Sequence, residues 1–150
     1  MVVAIVAVLA TLALPSMQQM LRRHQVRVVA EDLLADLQWA RAEAVRHGMS
    51  VAMHFDEPAT GWQIFLSPDD ACASVAGQVA LRTYRLPSSV VLPSVSPAHF
   101  CFDPQDTMTK KMGRVYVRPL GGTESDPANR ALCQGLAGRI RIEAGATCQE

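Results

Sequence analysis

The sequence predicts an α+β fold, one long N-terminal helix packed on a mostly antiparallel, strand-rich C-terminal part. Three observations carry this. Residues 2–14 are apolar except for Thr11. Residues 26–44 then show one apolar stripe (Val26, Ala30, Leu33, Leu37, Ala40, Ala44), spaced 4, 3, 4, 3 and 4 as a helix face requires. Beyond Gly48, short apolar runs are separated by Pro, Gly, Asp and Ser, the punctuation of short strands.

The helix is the organising element. From residue 1 to Gly48, at 1.5 Å per residue, it would run about 70 Å, more than a domain of the remaining length needs. Arg27, Glu31, Asp32, Asp36, Gln38, Arg41, Glu43 and Arg46 are expected mainly on faces other than the apolar stripe. Gly48 stands where a left-handed stop is needed, and Pro15 is expected to kink or loosen the front half. Two regions follow: residues 1–23, the half without a globular partner, and residues 24–150, the globular domain. The front half must bury itself in a membrane or against other copies. Val2, Val3, Ile5, Val6, Val8, Leu9, Leu12, Leu14 and Pro15 are the residues expected to pack there, with Ala4, Ala7, Ala10 and Ala13 as small residues every third position. The run is shorter than the roughly 20 residues of a full span. It does not read as a cleaved secretory signal, because no basic stretch precedes it and LALPS is a poor cleavage site.

Strands are expected at 50–56, 62–66, 79–86, 89–92, 99–102 and 113–118, with a last hairpin from 131–134 and 139–143. In 79–86, Arg82 and Tyr84 fall opposite Leu81, Thr83 and Arg85, and alternation alone does not say which set faces inward. Residues 67–77 and 119–129 read as loops.

With 150 residues the chain is one domain plus an appendage. Formal net charge is zero and the isoelectric point about 6.9, so bulk charge draws the protein to neither nucleic acid nor an anionic surface; any such activity needs a local patch. Cys72, Cys101, Cys133 and Cys148 all follow the helix, an even count that points to disulfides and an oxidising compartment rather than to four reduced thiols. Three pairings are possible. The favoured one is Cys72–Cys101 with Cys133–Cys148, the second clamping the C-terminal tail around 139–143.

No catalytic constellation stands out. His99 and Cys101 would share a strand face, and His54 and Cys72 could complete four ligands, but neither CxxC nor HExxH is present and no metal or other cofactor is expected. There is no GxSxG and no phosphate-binding glycine motif. At Gly138-Arg139-Ile140-Arg141 a strand would put both guanidiniums on one face and Ile140 and Ile142 on the other.

VVAIVAVLATLALPS, followed by LLADLQWARAEAVRHG at 33–48, resembles the N-terminal helix of type IV pilin-like proteins, in particular the GspH/FimT family of minor pseudopilins and minor pilins. The likeness returns at Gly138-Arg139-Ile140-Arg141. It implies a non-enzymatic filament subunit, held in inner-membrane lipid before assembly, with its domain in the periplasm and other pilins or pseudopilins as partners. The alternative is a FimT-type minor pilin that captures duplex DNA through Arg139 and Arg141, with Lys110, Lys111, Arg114 and Arg118 extending the patch if they fold beside them. Arg22, Arg23 and Arg27 after the apolar run would, alone, favour a cytoplasmic domain; the family's basic leader fixes the opposite orientation, and that one is expected here.

The resemblance also implies a basic leader, a Gly-aromatic site for a prepilin peptidase, N-methylation and a nearby Glu, all upstream of Met1. The reading frame is therefore expected to continue upstream through a Gly-aromatic pair. Reading the upstream nucleotides tests this, and an in-frame stop directly before Met1 would refute it.

Overall fold

The computed structural model describes residues 2–56, 59–68, 72, 77–105, 113–135 and 139–148, with helix side chains from residue 17 onward. Helix α1 (Val2–His47) is continuous, and Gly48 ends it at φ 62°, the left-handed conformation that costs glycine least. Eight strands follow: β1 (Ser50–Phe55), β2 (Gly61–Ser67), β3 (Arg82–Arg85), β4 (Val90–Ser96), β5 (His99–Phe102), β6 (Arg114–Pro119), β7 (Arg130–Gln134) and β8 (Ile140–Ala144). They form two four-stranded sheets, ordered β3-β2-β1-β5 and β4-β6-β7-β8, with every pairing antiparallel.

One core joins these layers. The predicted stripe is its helical wall: Val26, Ala30, Leu33, Leu37, Ala40 and Ala44 are all buried, together with Val29. Facing it are Val51, Met53, Phe55, Trp62, Ile64, Phe100 and Phe102 from the first sheet, and Val90, Leu92, Val115, Val117 and Leu132 from the second. Alternate residues of each strand thus point to α1, and the others form the outer sheet faces. Ile140 and Ile142 lie on the inner side but stay half-buried, because β8 is an edge strand.

Two expectations about the strands need correction. The strand expected at 79–86 is only Arg82–Arg85; Val79 and Leu81 are exposed, although the Leu81 N–H still donates to the Ile64 carbonyl at 2.7 Å. The strand expected to stop at residue 92 runs to Ser96 through Pro93. It can do so because β4 is an edge strand whose register with β6 shifts between Val91 and Ser94, so no ladder N–H is required of the proline.

A further correction concerns the helix charges. Arg27, Glu31, Gln38 and Arg46 are exposed as expected, but Asp36 is 1% exposed and Glu43 8%. Asp32, Asp36, Trp39 and Glu43 form a polar stripe beside the apolar one. The Trp62 indole N–H donates to Asp36 Oδ2 at 2.7 Å, and Arg82 Nη1 lies 2.9 Å from Asp36 Oδ1. The Tyr84 hydroxyl donates to Asp32 Oδ2 at 2.9 Å, its ring stacks on Trp62 at 4.1 Å, and the Arg82 guanidinium sits 5.6 Å from the Trp39 ring centre. Arg82 and Tyr84 are therefore the inward-facing set of β3. Glu43 accepts from Arg46 at 3.3 Å and lies 2.8 Å from His47 Nε2. Gly61 permits the close approach of β2 to β3, since a Cβ there would collide with the Tyr84 carbonyl.

Both disulfides have the favoured pairing, Cys72–Cys101 with Cα atoms 5.7 Å apart and Cys133–Cys148 at 5.6 Å. The first fixes a loop residue against the outer face of the first sheet, where Ala52, Cys72 and Cys101 form a small cluster of their own. The second brings the tail back to β7. Their sequence separations of 29 and 15 correspond to about 3.5 and 3 kcal/mol on chain-entropy grounds.

The Asp36 contact yields a stability test. Asp36→Ala strands the buried Trp62 N–H and is expected to cost about 1–3 kcal/mol, whereas Asp36→Asn keeps an acceptor and should cost less. Urea unfolding followed by tryptophan fluorescence measures both; an alanine variant as stable as the parent would remove Asp36 from the account.

Tyr84 gives the pH dependence. Burial, then the hydrogen bond to Asp32 and the charges of Asp32 and Asp36, push its pKa up from 10.0 to about 12. The fold thus favours the neutral phenol. Its contribution is complete below pH 10, where an unfolded tyrosine is also neutral, and is lost as pH rises toward about 12. Tyr84→Phe should flatten the fall in stability across that window and remove the late component of the tyrosine absorbance titration; an unchanged slope would contradict the assignment.

Candidate functional site

The resemblance points to two surfaces, the front of α1 and the Arg139–Arg141 segment. The geometry treats them differently.

Among the described helix side chains Val26 is the first that is buried, and residues 17–25 are exposed throughout. The 24 helical residues ahead of it extend about 36 Å along the axis. Within the described part, Met17, Met20 and Leu21 are 65%, 74% and 53% exposed, and their i, i+3, i+4 spacing places them on one face. Arg22 and Arg23 lie beside them, in a shallow recess shared with Thr123, Ser125 and Asp126 of the β6–β7 loop. The side chains of Val2, Val3, Ile5, Val6, Val8, Leu9, Leu12, Leu14 and Pro15 lie outside the described residues; their backbone belongs to the same unbroken α1. Among the described residues no helix is long and apolar enough to cross a membrane.

At the other end, Gly138 lies outside the described residues, Arg139 is exposed just ahead of β8, and Arg141 is exposed within it. Arg141 Nε is 2.8 Å from Glu143 Oε1, two residues along the same face, which offsets part of its charge. The register adds what spacing along the chain could not show. Arg114 of β6 and Arg141 of β8 both pair with Cys133 of β7, so one cross-strand row reads Arg114, Cys133, Arg141 on the outer face of the second sheet. Neighbouring strands lie about 4.8 Å apart, so these arginines stand about 10 Å apart at their backbones. Arg118 is on the same face four residues along β6. Lys110 and Lys111 lie outside the described residues.

The grouping of His54, His99, Cys72 and Cys101 comes together in space, with His54 directly opposite His99 and Ala52 opposite Cys101. Both sulfurs are spent in the disulfide, so no thiolate ligand remains. Among the described residues no group of three or more His, Cys, Asp or Glu side chains could hold a metal ion. The residues that sequence reasoning missed are Asp36, Trp62, Arg82 and Tyr84. The distinctive helical stretch 33–46 carries Asp36, but a lone carboxylate in a helix gives no signal of burial.

Comparison with known proteins follows the same lines. No curated protein matches the chain significantly. Among solved structures, the chain is similar to the type IV minor pilin FimU of Pseudomonas aeruginosa, with TM-score 0.64 and 24% identity over 81% of this chain and 90% of that one. It is also similar to the minor pseudopilin EpsH of the type 2 secretion system of Vibrio cholerae, with TM-score 0.61 and 15% identity over 80% of this chain and 97% of that one. At these identities the likeness establishes the pilin-like fold. The sequence itself matches the family described as type II transport protein GspH over residues 29–145, from the buried half of α1 to the turn after β8, and the chain belongs to that family of minor pseudopilins.

Proposed function

We propose that this protein is a non-enzymatic minor subunit of a type II secretion pseudopilus. Residues 2–14 hold it in the inner membrane before assembly, the domain faces the periplasm, and α1 then packs against neighbouring subunits. The observation that carries this reading is the exposed apolar face of Met17, Met20 and Leu21, which the chain's own domain does not cover and which continues the apolar run. A prepilin peptidase acting on an upstream leader belongs to the same reading. So does the periplasmic side, which suits two disulfides.

A second reading, DNA capture, draws on the Arg114–Cys133–Arg141 row with Arg139 beside it. Arginines on one sheet face could meet phosphates without reading sequence. The Arg141–Glu143 pair and the zero net charge weigh against it.

A photo-crosslinking residue in place of Met20, in the native host, should yield adducts with other pilin-like subunits. Deleting the gene should reduce export of secreted enzymes and leave surface pili in place. No subunit adduct, or loss of pili with normal export, would refute the secretion reading. For DNA capture, the protein should shift duplex DNA in a strongly salt-dependent way, and Arg139→Gln with Arg141→Gln should weaken binding uniformly across sequences. The secretion reading expects no salt-sensitive shift.

A further inference from the structure

Counting back from Val26 along the buried stripe of α1, in helical steps of three and four, gives Arg23, Arg22 and Gln19. The helix face that carries Val26, Ala30 and Leu33 into the core therefore continues toward the N-terminus as two guanidiniums and an amide. The β6–β7 loop meets that face. Gln19, Arg22 and Arg23 line a recess of about 330 Å³ together with Thr123, Ser125 and Asp126. The Thr123 and Ser125 hydroxyls lie 3.2 Å apart.

The charges of this recess are unbalanced. Arg27, one turn further on, is answered by Glu31 at 2.7 Å. No ion pair or hydrogen bond serves the side chain of Arg22 or Arg23 among the described residues. No acidic residue precedes Glu31 in the sequence, so α1 offers these two arginines no carboxylate within a turn. Asp126 is the one carboxylate among the described lining residues, and its Oδ1 already accepts the Ala128 N–H at 2.8 Å. Both arginines are exposed, so an anion reaches them from outside. Two guanidinium forks beside two hydroxyls match the several oxygens of a phosphate.

Position along the helix names the source of that phosphate. Residues 2–21 contain no charged side chain, and Arg22 and Arg23 are the first charged side chains of the sequence. The α1 backbone is unbroken through this stretch. A helix of that length spans about 30 Å, the depth of a bilayer's hydrocarbon core. With that stretch in the membrane, the recess stands in the headgroup layer. We propose that it holds the phosphate of a phospholipid headgroup in the periplasmic leaflet, with Arg22 and Arg23 meeting the phosphodiester oxygens and Thr123 and Ser125 donating from the domain side. The site rests on the inner-membrane reading above and adds to it a lipid contact made by the folded domain. It also accounts for arginines on the periplasmic side of the span, where charge bias alone disfavours them.

The test uses the full chain, ¹⁵N-labelled, in dodecyl maltoside micelles, which contain no phosphate. Dihexanoyl phosphatidylglycerol is titrated in, with dihexanoyl glycerol and inorganic phosphate as comparisons. Flotation with vesicles of dioleoyl phosphatidylcholine and phosphatidylglycerol reports anchoring separately. The phosphatidylglycerol should shift the amides of Gln19, Arg23, Thr123 and Ser125. Arg22→Gln with Arg23→Gln, both exposed changes, should weaken that binding about tenfold, while Arg27→Gln leaves it unchanged. The double variant should still float, because its apolar run is intact. Equal shifts from dihexanoyl glycerol would mean that acyl chains are recognised, and inorganic phosphate binding as tightly would reduce the recess to a general anion site; either result overturns the proposal, as does a double variant that binds like the parent. A chain that does not float removes the inner-membrane reading and the site with it. A chain that floats without these shifts removes the site alone.

Discussion

A single buried carboxylate sets how the helix and the strands meet. Asp36 sits on α1 beside the apolar stripe and receives the Trp62 indole N–H and the Arg82 guanidinium. Hydrophobic burial brings the stripe to the sheets but is indifferent to sliding or rotation by a fraction of a turn. A carboxylate taken out of water is not indifferent, since it must find donors at defined positions. Trp62 supplies one from the start of β2, and Arg82 the other from its edge neighbour β3. With Asp32 and Tyr84 one turn earlier, α1 is registered against the first sheet at two points.

The second sheet meets the helix through Val115, Val117 and Leu132. Its outer face carries the Cys133–Cys148 bond, as the first sheet's outer face carries Cys72–Cys101. The domain thus combines hydrogen-bonded specificity between α1 and the first sheet with covalent closure on the outer face of each sheet. A domain of this size has a modest core, and both devices compensate for that.

Much of the fold was legible because it depends on local pattern. The 3.6-residue stripe, the Gly48 stop and the strand–turn punctuation are written in consecutive residues, and each has a counterpart in the structure. The strand at 79–86 was over-read because alternation continued on both sides of Arg82–Arg85, the only stretch of it that pairs with β2. Asp36 was misjudged because a carboxylate is expected in water unless the partner that rescues it is known, and that partner lies 26 residues away. The Arg114–Arg141 row was beyond reach for a similar reason: shifting any strand by one residue would move those side chains to the opposite face. Arg139 and Arg141 could be placed on one face from spacing, but the Glu143 that answers Arg141 had been counted only as the end of a strand.

The Cys133–Cys148 link has a mechanical meaning. β8 is an edge strand held to the sheet by β7 alone, and such a strand unzips one hydrogen bond at a time when its free end is pulled. With the tail bonded to β7, a pull applied beyond Cys148 enters the sheet through the sulfur of Cys133, near the end of β7, and bypasses the β7–β8 ladder. The ladder then carries none of that load and is not peeled by it.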